Sequence, residues 1–191
     1  MKQILIACEF SGIVRDAFRS WGLDAWSCDL LDTERPSKYH IKDDVLNILN
    51  DGWDMLIAHP PCTFLCRNRA RQNKEEGIKE IDTSLFMALY NADIPQLCIE
   101  NPVPSKAAGL PQYDQIIQPY YFGHDHSKKT CLWLKKLPEL KPTRMIEISY
   151  VITPGGHRYT KGWYETPRTW KARSRTFTGI AKAMAEQWGR L

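Results

Sequence analysis

The run Asp54-Met55-Leu56-Ile57-Ala58-His59-Pro60-Pro61-Cys62 constrains this chain more than any other stretch. A short apolar run bounded by turn residues reads as a buried strand of a parallel sheet. Two successive prolines cannot continue it, because neither carries an N–H and each fixes its own φ. The chain must leave the sheet at its carboxyl edge, where open α/β sheets bind ligands. Cys62 is the first side chain delivered there, on a stiff Pro-Pro neck. That is the placement of a nucleophile. The competing reading is a small buried hydrophobe, the usual state of a free cysteine, and spacing alone leaves both open.

At 191 residues the chain is long enough for one domain, expected to span 1–191, with a core that needs no staples. Hydrophobic content of 43% and charged content of 25% place it with globular rather than disordered chains. No apolar stretch reaches membrane-spanning length, and the first ten residues turn acidic too soon for a signal peptide. The six cysteines mostly sit in or beside apolar runs, the pattern of reduced thiols. A cytoplasmic protein without membrane association is therefore expected.

The net charge of +4 is mild but unevenly spread. Arg67, Arg69, Arg71 and Lys74 follow Cys62, while Arg168, Lys171, Arg173 and Arg175 cluster near the end among Trp163, Tyr164 and Trp170. Basic residues interleaved with aromatics suit phosphates and exposed bases; a solvated basic face is the alternative.

Strands are expected over residues 3–8, 25–29, up to 59, 96–100 and 130–134, with a short third segment around 45–49. Helices are expected from an N-cap at Ser11 to about Trp21, over 82–91 and over 178–187. Residues 63–79 read as an irregular basic loop, and about 135–170 as an irregular excursion. The alternation predicts an α/β fold, a doubly wound and mostly parallel Rossmann-like sheet.

Several polar groups then fall at one edge of that sheet. Glu9-Phe10-Ser11-Gly12 follows the first strand, Asp29 ends the second, Cys62 follows the fourth and Glu100-Asn101-Pro102 the fifth. His59, Cys62 and Cys66 are close in sequence, but a structural zinc site needs a second ligand pair. No metal is expected.

Phe10-Ser11-Gly12, Asp29, Asp44, Pro60-Pro61-Cys62 and Glu100-Asn101-Pro102, in this order and spacing, resemble the cytosine-C5 DNA methyltransferases, most closely their compact phage and prophage members. The segment from Arg173 to Ala181 resembles the family's last motif, whose helix returns to the cofactor site. The resemblance implies a class I methyltransferase fold, S-adenosylmethionine as methyl donor and DNA as partner, with RNA or a free nucleotide as alternatives and a non-enzymatic nucleic-acid-binding relative as a further one. It implies Cys62 as nucleophile, Glu100 as the residue gripping the base and Asn101 as the residue shaping that loop. Phe10, Ser11, Gly12, Asp29, Asp44 and Pro60 would line the donor site. Arg67, Arg69 and Arg71 would close over a flipped nucleotide, and Lys128 or Lys129 would stand where the family has an arginine.

The chain departs from the family pattern in three places. Ile13-Val14-Arg15 replace further glycines of the cofactor loop, lysines replace a bidentate arginine, and only about 135–170 remains of a target-recognition region.

Overall fold

Met55, Leu56, Ile57 and Ala58 are all fully buried, as a strand with both faces covered requires. The computed structural model describes residues 2–78 and 80–191. In chain order its elements are β1 (Gln3–Ala7), α1 (Ile13–Arg19), β2 (Asp24–Asp29), β3 (His40–Lys42), α2 (Val45–Ile48) and β4 (Met55–Ala58). They continue with α3 (Ala70–Glu75), α4 (Ser84–Tyr90), β5 (Gln96–Pro102), β6 (Gln115–Ile117) and β7 (Thr130–Lys135). The chain closes with β8 (Tyr150–Ile152), β9 (Arg158–Thr160), α5 (Lys161–Glu165), α6 (Trp170–Ser174) and α7 (Thr178–Trp188).

The sheet order is β3-β2-β1-β4-β5-β7-β6, and only β7 runs against its neighbours. This is the Rossmann-like α/β fold that the sequence predicts. Alternate strand residues serve opposite faces. Ile4, Ile6 and Ile57 pack with Val14, Phe18, Met184 and Trp188 of α1 and α7. Leu5, Leu56 and Leu97 pack with Val45, Phe86 and Leu89 of α2 and α4. Strand order reverses between β1 and β4, so the crevice beyond their carboxyl ends is the switch point where such folds take ligands.

Several local expectations are corrected. β1 ends at Ala7 because Cys8 adopts φ 57° and turns the chain out of the sheet. The segment at 45–49 is the short helix α2, and the third strand is His40–Lys42. β5 runs on through Asn101 and Pro102, which pair with Cys131 and Thr130. Its pairing to β4 stops at Ile99, so the missing proline N–H interrupts no ladder on that side.

The stretch at 63–79, expected to be irregular, contains a 3-10 turn over Arg67–Arg69 and then α3. Arg71 to Glu75 and Gln72 to Glu76 bonds support that helix, and Asn73 ties it to the Phe64 carbonyl. Lys79 lies outside the described residues. The excursion holds an antiparallel pair, β8 with β9. Arg158 lies 3.6 Å over the Tyr150 ring, and Tyr159 stacks on Trp163 at 4.7 Å. Among the described residues, no helix is long and apolar enough to cross a membrane.

Candidate active site

The loop after β1 is organised by Glu9. Its carboxylate accepts the amides of Val14 (2.6 Å) and Arg15 (3.2 Å) and the Ser11 hydroxyl (3.1 Å). Gly12 takes the N-cap position expected of Ser11, at φ 70°; Ser11 Oγ accepts the first amide, of Ile13 (3.3 Å), and the buried Glu9 carboxylate accepts the next two. Burial pushes Glu9 above the ordinary carboxyl range, although His59 and these bonds act against it. A Cβ on Gly12 would fall 2.5 Å from the Arg15 guanidinium. Arg15 is itself buried, bonded to Ser27 (3.0 Å) and to the Arg35 carbonyl (3.1 Å). Arg15 thus anchors the 33–35 loop.

Phe10 is buried beneath Trp170, with ring centroids 5.6 Å apart. Trp170 is held there by α6, and just beyond it Arg175 grips Glu34 through two 2.7 Å bonds. Asp29 accepts the Leu31 amide (3.0 Å) at the end of β2. Asp44 caps α2 through Leu46 (3.0 Å).

The neck after β4 meets the end of β5 directly. Asn101, 2% exposed, donates its side-chain amide to the Pro60 carbonyl at 2.9 Å. One residue earlier on each strand, His59 Nδ1 bonds Glu100 Oε2 at 2.7 Å, with side chains 10% and 13% exposed. Thr176, from the segment before α7, donates to the same oxygen at 3.4 Å. Burial opposes charge on Glu100, yet the His59 bond and charge, with Lys128, hold its carboxyl below the ordinary range. Burial likewise opposes charge on His59, but the Glu100 bond and the charges of Glu100 and Glu9 hold the imidazole above its ordinary value.

Cys62 is half-buried one turn before Cys66, whose amide bonds the Cys62 carbonyl at 3.2 Å. The Cys62 thiol is pushed up, first by its hydrogen bond to Cys66 and then by burial, against a favourable Lys128. The Lys128 charge is thus outweighed, and the thiol is not lowered. Cys66 instead is lowered to about 6, because it accepts the Cys62 hydrogen and the amides of Asn68 and Arg69 point at it. The other thiols are raised, Cys8 to about 12 and Cys28 and Cys131 to about 11, mainly by burial, which also raises Cys98.

A cleft of about 990 Å³ opens beside these strand ends. Cys66, Arg67, Lys128, Lys129, Arg173 and Thr176 are among its lining residues. Arg69 and Arg71 do not line it: Glu76 holds Arg69 at 2.8 Å and Glu75 holds Arg71 at 2.8 Å. His124 accepts the Gly179 amide (2.9 Å) at the start of α7, a structural cap. Among the described residues, no group of three or more His, Cys, Asp or Glu is arranged to hold a metal ion.

Three relationships went unread in the sequence: His59 with Glu100, Glu34 with Arg175, and Phe10 with Trp170. Only His59 carried a signal, as a polar residue closing an otherwise apolar strand.

No protein-family model matches the chain, and no curated protein matches it. Among solved structures, the chain is similar to a Spodoptera frugiperda DNMT2 mutant, with a TM-score of 0.46 and 16% identity. The match covers 76% of this chain and 54% of that one, so the chain spans about half of that protein's length.

Proposed function

We propose that the protein transfers a methyl group from S-adenosylmethionine to carbon 5 of cytosine in DNA through a covalent Cys62 adduct. The observation that carries this reading is the Asn101–Pro60 bond. It locks the strand end bearing Glu100 against the neck bearing Cys62, with the Lys128 charge acting on both.

Carbon 5 of cytosine is a weak nucleophile until a thiolate adds to carbon 6. Cys62 supplies that thiolate, giving its proton to a base in solution. Glu100 grips the exocyclic amine and N3, stabilising charge as the thiolate adds. Carbon 5 then takes the methyl group, and loss of its proton expels Cys62.

The residues at the ends of β1 and β2 would hold the adenosyl half of the donor. Phe10, now packed under Trp170, would face the adenine if that ring were displaced, and Asp29 at the end of β2 would take the ribose hydroxyls. When bound, the donor supplies an electrophilic methyl group on sulfonium.

Arg67, Lys128 and Lys129 give the cleft the charge to hold phosphates. The test is transfer of tritium from the methyl-labelled donor to duplex DNA, RNA and deoxycytidine monophosphate in parallel, with Cys62→Ser as control. Label in duplex DNA that requires Cys62 supports the reading. Label only in RNA or the mononucleotide reassigns the substrate, and label in none contradicts the activity.

A further inference from the structure

Cytosine poses a problem for the carboxylate at the end of β5. In the neutral base N3 is a lone-pair acceptor, so a carboxylate cannot hydrogen-bond to it, whereas a carboxylic acid can. In the resting site the His59 bond favours the charged form of Glu100. A proton must therefore reach it from a neighbour when the base arrives.

The surroundings of His59 define where that proton comes from. Its Nδ1 is 2.7 Å from Glu100 Oε2. Its Nε2 is buried, with no hydrogen-bond partner among the described residues. The ring therefore has one hydrogen-bonded route for exchanging a proton, and that route ends on Glu100. The charged groups acting on the pair are Glu9 beyond β1, which favours the imidazolium, and Lys128 before β7, which opposes it. Thr176 adds a neutral hydroxyl to Glu100 Oε2. Both hydrogen bonds to the Glu100 side chain fall on Oε2.

We propose that His59 is a positioning residue that stores the proton Glu100 needs to engage cytosine N3. The inference rests on the methyl-transfer reading above. As the base docks, the His59 Nδ1–H bond breaks and an O–H bond forms on Glu100 Oε2, leaving neutral imidazole and neutral carboxylic acid. Rotation about the soft terminal torsion of the glutamate presents that O–H to N3, which takes the proton as Cys62 adds to carbon 6. When Cys62 is expelled, N3 returns the proton to Glu100 and Glu100 returns it to His59. No proton is consumed on this path.

The closing experiment has two arms. In the first, the pH dependence of kcat is compared between the wild-type protein and His59→Asn. Asparagine can still donate a hydrogen bond to Glu100 but stores no proton. Wild-type kcat is expected to fall as pH rises through the His59 titration, whereas His59→Asn loses that limb and drops about 100-fold in kcat, the scale of a lost acid–base step, with the donor KM unchanged. In the second arm, the His59 ring is titrated by nitrogen NMR in the free protein. It should titrate above the ordinary histidine range and move down in Glu100→Gln. A His59→Asn protein with wild-type kcat and the alkaline limb overturns the inference alone, as does a His59 ring that titrates in the ordinary range or is unmoved in Glu100→Gln. A wild-type protein that methylates none of the three substrates overturns the reaction itself, and the NMR arm then still reports whether the pair is coupled.

Discussion

Asn101 donates to the Pro60 carbonyl from a position 2% exposed, joining the ends of β4 and β5 by a bond across 41 positions of sequence. Its neighbours on the two strands, His59 and Glu100, form a second bond in the same place. The end of β5 and the neck after β4 are thus tied twice, and the proposed nucleophile stands two residues beyond Pro60.

Asn101→Ala removes that tie and leaves a buried carbonyl unpaired. A loss of about 1–3 kcal/mol is expected, read from urea denaturation, together with a fall in methyl transfer at saturating donor. Unchanged transfer in a destabilised protein would mean that the tie serves folding alone.

The thiol pair has a reactivity order opposite to the one its proposed roles suggest. With Cys66 lowered to about 6, its thiolate outnumbers its thiol by about ten to one at pH 7. Brief treatment with iodoacetamide at pH 7 should alkylate Cys66 before Cys62, as located by peptide mass spectrometry. At pH 5 the Cys66 labelling should fall sharply. Faster labelling of Cys62 at pH 7 would contradict the hydrogen-bond direction.

The His59–Glu100 pair also links stability to pH. His59 is raised from its ordinary 6.5, so its contribution is complete below that value and is lost as pH rises through the folded-state value. Glu100 is lowered from its ordinary 4.5, so its contribution is present above that value and is lost as pH falls through the folded-state one. Both operate between 4.5 and 6.5. The urea midpoints of wild type and His59→Asn should differ most in that window and converge above it.

Charge removal should separate the two groups of basic residues. Arg67→Ala, in the cleft, should reduce the slope of log affinity against log salt for DNA by about 1. Arg71→Ala, outside it and paired with Glu75, should leave the slope unchanged. Equal effects would place the nucleic acid across α3 instead.

Gly179 tests the return of the last helix. A Cβ there would lie 2.0 Å from the Phe122 carbonyl oxygen and 2.9 Å from His124 Nε2. Gly179→Ala should cost about 1–3 kcal/mol, whereas Gly155→Ala, whose Cβ would meet only the His157 ring at an ordinary 3.6 Å, should not. Thermal denaturation of both variants decides it.

The sheet was legible because its strands are apolar runs closed by glycine, proline and acidic residues, and β1, β2, β4, β5 and β7 lie close to their expected ranges. The convergence of Glu9, Cys62 and Glu100 on one edge was legible for the same reason, since each follows a strand. The helical start at Arg67 was not, because its stabilising bonds, Arg69 to Glu76 and Asn73 to Phe64, join polar residues without apolar periodicity. Nor was Cys66 as the lowered thiol: its acidity comes first from the Cys62 hydrogen it accepts and then from backbone amides, contacts that a sequence does not display. The packing of Trp170 on Phe10 and the reach of Arg175 to Glu34, the latter across 141 positions, are pairings that no local pattern encodes.

The central claim, a covalent Cys62 adduct to carbon 6, is tested most directly with duplex DNA containing 5-fluorocytosine and tritiated S-adenosylmethionine. Fluorine at carbon 5 cannot leave as a proton does, so the reaction stops with enzyme attached. The account predicts a labelled protein–DNA species that survives denaturation in wild type and is absent in Cys62→Ser. A folded wild-type protein that forms no such species, or a Cys62→Ser variant that forms it equally, would contradict the account.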